Sequence, residues 1–209
     1  MPEADQPSAM ALHRSPFEGH EPGQRPAANG LVGVRLRAET LAGLVQIHTW
    51  PSGIDALRAA LAGALGVPDV PTRTGQLADA GAGLLMCTGP CEYQLLAVTG
   101  QCSVADLRQC VTADIGAVTD LGHARCRIRI DGPHCRDTLS KLFALDLREA
   151  AWPVGELRLT GHHHVPCAVL RRGPDGFDLL VLSTYAFDQL GTVLDAAQEY
   201  GVALELPAS

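Results

Sequence analysis

Two segments that match at a spacing of 84 residues constrain this chain more than any other feature. Leu85-Met86-Cys87-Thr88-Gly89-Pro90-Cys91-Glu92-Tyr93-Gln94-Leu95-Leu96 and Val169-Leu170-Arg171-Arg172-Gly173-Pro174-Asp175-Gly176-Phe177-Asp178-Leu179-Leu180 share apolar and polar character around a Gly-Pro turn. Each reads as two apolar runs bent about the turn, which is a hairpin signal. Upstream, Leu44 to Trp50 and Ala124 to Ile130 both alternate like strands, and each runs into a helix-spaced segment. That step registers near 81, Ile47 with Ile128, so whole units repeat.

The expected fold is α+β: two tandem ferredoxin-like β-α-β-β-α units, each with room for an extra strand, related by a pseudo-twofold. Residues 1–30 read as a flexible N-terminal arm, 31–117 as the first unit and 118–209 as the second. The arm is rich in Pro, Ala, Gly and charge, with Leu12 and Phe17 almost its only large apolar groups, too few to offset the entropy of ordering it. Helices are expected from capping-box spacings at Ser52–Asp55 and Ser103–Asp106, after Gly132-Pro133, and through Phe187, Leu190, Leu194 and Ala197.

With 16 Lys+Arg against 23 Asp+Glu the net charge is −7, which excludes nucleic acid as an expected partner. No run is long and apolar enough for a bilayer, and the N-terminus lacks the apolar core of a secretory signal, so a cytoplasmic protein without membrane contact is expected. The seven cysteines lie in apolar segments without disulfide-scaffold spacing and read as reduced, buried thiols.

No catalytic, cofactor-binding or metal-binding set emerges. His162-His163-His164 places two side chains on one strand face and one on the other, so a surface histidine run is preferred over a metal site. Cys87 and Cys91 lack a second ligand pair. There is no nucleophile elbow, P-loop or dinucleotide fingerprint. Asp120 and His123 fit a turn better than acid–base chemistry. Arg125, Arg127 and Arg129 share one strand face and form a multidentate anion-binding surface, set against the alternative of a solvated outer face. That stripe, with Phe17 of the arm, is the candidate partner interface.

Larger stretches carry a family resemblance. Leu12-His13-Arg14-Ser15-Pro16-Phe17, Thr88 to Leu96, Val118-Thr119-Asp120-Leu121-Gly122-His123-Ala124-Arg125, Gly132 to Lys141, Leu145-Asp146-Leu147, Ser183-Thr184-Tyr185-Ala186 and Glu199-Tyr200-Gly201 resemble the gamma subunits of heterotetrameric sarcosine oxidases. Gly122, Cys91 and Tyr93 depart from the family pattern, where Ser, an acidic residue and Trp are common. The resemblance implies a fold related to the folate-binding aminomethyltransferases and a non-catalytic role beside alpha, beta and delta subunits. It implies a complex that demethylates sarcosine to glycine and hands the one-carbon unit to tetrahydrofolate. FAD, FMN, NAD, tetrahydrofolate and zinc are then expected on the partner subunits and none on this chain. An oxidase for dimethylglycine or another N-methyl amine is the first alternative. A free-standing folate-binding aminomethyltransferase-like protein is the second, although the aminomethyltransferase-type G-Y-T-G-E segment and the K-G-C-Y segment of its tRNA-modification relatives are missing.

Overall fold

A computed structural model describes residues 15–81, 83–97 and 104–207. Alternation builds the strand that opens each repeat. In β3 (Leu44–Thr49) Val45 and Ile47 are buried toward the helices, and in β8 (Arg125–Asp131) Cys126, Ile128 and Ile130 do the same. Each strand runs into a helix, α1 (Ile54–Leu65) and α3 (Cys135–Leu142). Leu57, Leu61 and Leu65 of α1 fall at helical spacing on its buried face, and Gly66 ends it in the left-handed region at φ 64°, where a glycine carries no Cβ penalty. The expected capping box does not form: Pro51–Gly53 is a tight 3-10 turn, and no side chain caps the helix.

The element order then repeats. The first half continues with β4 (Leu77–Asp79), β5 (Gly83–Gly89), β6 (Glu92–Ala97), α2 (Val104–Cys110) and β7 (Gly116–Asp120). The second continues with β9 (Glu156–His162), β10 (Val165–Gly173), β11 (Gly176–Leu182), α4 (Ala186–Ala197) and β12 (Val202–Glu205). Each half is therefore β-α-β-β-β-α-β, which takes up the extra strand the sequence left room for and adds one more. Ser103, Cys102 and Val98 lie outside the described residues.

The sheets are ordered β4-β5-β6-β3-β7 and β9-β10-β11-β8-β2-β12-β1. These are the same order except that β2 (Val34–Thr40) is inserted between β8 and β12, and β1 (Gly23–Arg25) is added beyond β12. Both extra strands precede the first repeat in sequence yet join the sheet of the second. A boundary between residues 117 and 118 runs through β7, and the segment from 31 spans both sheets. The described part of the arm, residues 15–30, is largely exposed but tied down at two points: β1 pairs antiparallel with β12, and Phe17 is 1% exposed within the second half's core. Residues 1–14 lie outside the described residues.

Four layers result. α1 and α2 cover one face of the five-stranded sheet, α3 and α4 one face of the seven-stranded sheet, and the two remaining faces meet. The seam between sheets is apolar, with Leu44, Met86 and Leu96 against Leu157, Ala168, Leu170 and Leu180. Residues 73–76 join the edges: Gln76 bridges to Glu156, Gly75 accepts from the Leu157 amide at 2.8 Å, and Arg73 pairs with Glu156. In α4 the inward set is Ala186, Leu190, Val193, Leu194 and Ala197. Phe187 is 46% exposed, because its ring turns to the N-terminal segment and lies 4.3 Å from the His20 ring.

Candidate functional site

Where the five-stranded sheet stops covering the larger one, the seam turns from leucine to charge. Asp178 sits in β11 between Phe177 and Leu179, which face the helices, so its carboxylate points into the seam, 2% exposed. An ionised carboxylate survives there only with partners. Arg172 Nε donates to it at 2.6 Å, and Arg129 Nε and Arg127 Nη1 stand at 3.7 and 3.9 Å. Glu39 of β2 pairs with Arg127, whose Nε donates to it at 2.8 Å, and stands 3.6 Å from Arg129. Burial pushes the Asp178 carboxyl up from the ordinary carboxylate range, against the pull of Arg172, Arg127 and Arg129. The network borders a cavity of about 400 Å³ whose other wall is apolar, from Leu41, Leu84 and Leu96.

The arginine stripe is therefore neither a free anion-binding face nor a solvated outer face. Arg127 and Arg129 are half-buried and already paired with the chain's own acids, and Arg125 Nη1 donates to the Leu180 carbonyl at 3.2 Å. Phe17, the fourth proposed contact, is a core side chain and is not presented to a partner.

His162 ends β9 and is fully buried. Its Nδ1 lies 2.7 Å from Gln189 Oε1, and Gln189 donates back to the His162 carbonyl at 3.2 Å. Burial holds its pKa below the ordinary histidine value. The surface-run reading therefore fails for His162. His163 and His164 make the two-residue turn into β10 with φ of 50° and 67°, the twist that two-residue hairpins favour. Among the described residues no three His, Cys, Asp or Glu side chains are placed to hold a metal ion.

Cys87, Cys126, Cys135 and Cys167 are buried as expected, with burial pushing the Cys135 thiol to about 11 and Cys167 to about 12. Cys110 is exposed, and Cys91 is intermediate. Asp120 takes its turn role, accepting from the Gly122 amide at 2.8 Å.

Sequence reasoning passed over two charged residues. Asp178 interrupts an apolar run, a signal that a buried carboxylate needs cations nearby. Arg171, aligned with Cys87 in the repeat, is fully buried: it donates to the Trp152 carbonyl, lies over the Phe177 ring at 5.9 Å and leaves Nη2 without a hydrogen bond.

No family model matches the chain. Sarcosine oxidase subunit gamma of Corynebacterium sp. (strain U-96) is 26% identical over 146 residues, 69% of this chain and 71% of that relative. This chain is similar to a sarcosine oxidase gamma subunit. A chain of the heterotetrameric sarcosine oxidase from Corynebacterium sp. U-96, solved with pyrrole 2-carboxylate, superposes with a TM-score of 0.72 at 24% identity. That match covers 80% of this chain and 85% of the other, so the gamma-subunit resemblance read from the sequence meets a fold of the same extent. Aminomethyltransferase T of the glycine cleavage system from Bartonella henselae superposes with a TM-score of 0.59 at 16% identity, over 84% of this chain and 48% of that protein. The mixed α+β architecture thus has aminomethyltransferase-like neighbours. No helix among the described residues is long and apolar enough to cross a membrane.

Proposed function

We propose that this chain is the non-catalytic gamma subunit of a heterotetrameric sarcosine oxidase-type complex in the cytoplasm. The observation that carries the reading is agreement between sequence and fold: a gamma subunit matches across about seven-tenths of both chains, and a chain of such a complex matches in fold across most of both. In this reading alpha, beta and delta subunits hold FAD, FMN, NAD, tetrahydrofolate and zinc, and the complex oxidatively demethylates sarcosine. The two halves are diverged copies of one ferredoxin-like unit that here serves assembly next to the folate-side alpha subunit.

The arginine stripe is engaged internally, so the assembly contacts fall to exposed apolar groups, Trp50, Leu159 and Phe187, each 46–61% exposed. Of these, Trp50 is the side-chain type most often found to anchor protein interfaces. Co-expression of the tagged chain with alpha, beta and delta chains of a sarcosine oxidase-type complex from the same source tests the reading. Capture of a stable, flavin-coloured complex that oxidises sarcosine supports it. A chain recovered alone under those conditions, with the other chains assembling and working without it, overturns it.

A further inference from the structure

The uncovered flank of the seven-stranded sheet holds a cationic hollow that the chain's own acids neutralise only in part. β2 and β8 run antiparallel with Arg37 directly opposite Arg129 and Arg35 opposite Asp131. Like charges set directly across a ladder destabilise it, and here Arg37 is relieved by Glu205 and Arg129 by the longer contacts to Glu39 and Asp178. Arg172 of β10 and Glu205 of β12 close the remaining sides of a cavity of about 160 Å³. Around it five arginines, Arg35, Arg37, Arg127, Arg129 and Arg172, share four carboxylates, Glu39, Asp131, Asp178 and Glu205, so one guanidinium is in excess on a chain whose net charge is −7.

The pairings leave donors over. Arg37 Nε holds Glu205 at 2.7 Å, while Arg172 donates through Nε to Asp178 at 2.6 Å and places Nη2 3.4 Å from Asp131. Arg35 makes no ion pair among the described residues. Arg129 Nε is buried and makes no hydrogen bond, its closest acid oxygens being those of Glu39 and Asp178 at 3.6 and 3.7 Å. A buried charged donor left unmade is costly, and a planar fork of such donors fits carboxylate and phosphate oxygens two at a time.

We propose that this hollow binds a small dianion of the phosphate or dicarboxylate class, with Arg129 and Arg172 at its base and Arg35 and Arg37 closing over it. The inference stands on the isolated chain and does not rest on the assembly reading, so either can fail without the other. Calorimetric titration of the full chain at neutral pH with inorganic phosphate, and separately with succinate, tests it against sodium chloride at matched ionic strength. Saturable one-site binding of either dianion is expected; phosphate alone, succinate alone or both identifies which chemistry the hollow takes. Arg35→Gln and Arg37→Gln, both at exposed positions, are expected to weaken binding about tenfold or more, while Arg148→Gln elsewhere on the surface leaves it unchanged. The proposal is overturned if neither dianion saturates beyond the chloride control, or if both hollow variants bind as tightly as the parent chain.

Discussion

The two Gly-Pro hairpins share a backbone and differ in what they bury. In both, the ladder slips by one residue at the matched place, between Cys87 and Gly89 in the first and between Arg171 and Gly173 in the second. On the helix-side face the first copy has Tyr93, whose hydroxyl donates to the Pro71 carbonyl at 2.6 Å and accepts from Arg58 Nε at 3.1 Å. The second has Phe177 at that position, and its arginine, Arg171, comes from the hairpin itself. Across the ladder toward the seam, Gln46 stands opposite Gln94 in the first copy and Arg129 opposite Asp178 in the second. Duplication kept the bulge and the register, and the environment reset the side chains. The neutral pair lies in the smaller sheet, whereas the charged pair sits where the larger sheet emerges from cover.

This contrast fails or sharpens under mutation. The largest effect is expected from Phe17→Ala, which empties a buried aromatic site peculiar to the second half's core and should cost about 3–5 kcal/mol in urea unfolding. A loss below about 1 kcal/mol, typical of a surface change, would mean that residues 15–30 are not part of that core. Asp178→Gln, which copies the first hairpin's neutral residue into the second, should cost about 2–3 kcal/mol by leaving three half-buried guanidiniums unbalanced. Gln94→Ala at the matched position should cost about 1 kcal/mol. Equal losses at the two positions would erase the distinction between the copies.

A smaller effect concerns pH. His162 is held neutral by burial, with a folded pKa below its unfolded one, so the unfolded state binds more protons as pH falls through about 6.5 and stability drops there. Thermal melts from neutral to mildly acidic pH should show this decline, and His162→Gln should flatten it. The smallest change is expected for Arg171→Met. Replacing a buried cation that has an unmade donor by an apolar chain of similar length should alter stability by about 1 kcal/mol or less, of either sign. A loss above about 3 kcal/mol would show that Arg171 holds the 148–155 loop through more than its bond to Trp152.

Much of the fold was legible because alternation and helical spacing are local signals. Cys126, Ile128 and Ile130 on one face, and Leu57, Leu61 and Leu65 at helical spacing, needed no tertiary information. Val34, Leu36 and Ala38 alternate as clearly, but their strand pairs with the distant β8 and β12, and nothing local announces that crossing. The spacing of 81 taken from Ile47 and Ile128 is 83 in the ladders, since Gln46 opposite Gln94 corresponds to Arg129 opposite Asp178. A shift of two keeps every side chain on its face, which is why pattern alone left it unresolved. Phe17 looked like an isolated apolar residue because the cluster it joins is assembled from the far half of the chain. The charged seam was half visible: the arginine stripe stood out, while the acids that engage it come from two other strands.

The central claim is that matched positions of one duplicated unit carry a neutral pair in the first copy and a coupled ion pair in the second. Two double-mutant cycles measured by urea unfolding test it most directly, one on Arg129→Gln with Asp178→Gln and one on Gln46→Ala with Gln94→Ala. The expected coupling is about 1 kcal/mol or more for the charged pair and under about 0.5 kcal/mol for the neutral pair. Equal coupling in the two cycles, or additivity within about 0.3 kcal/mol for Arg129 and Asp178, would contradict it.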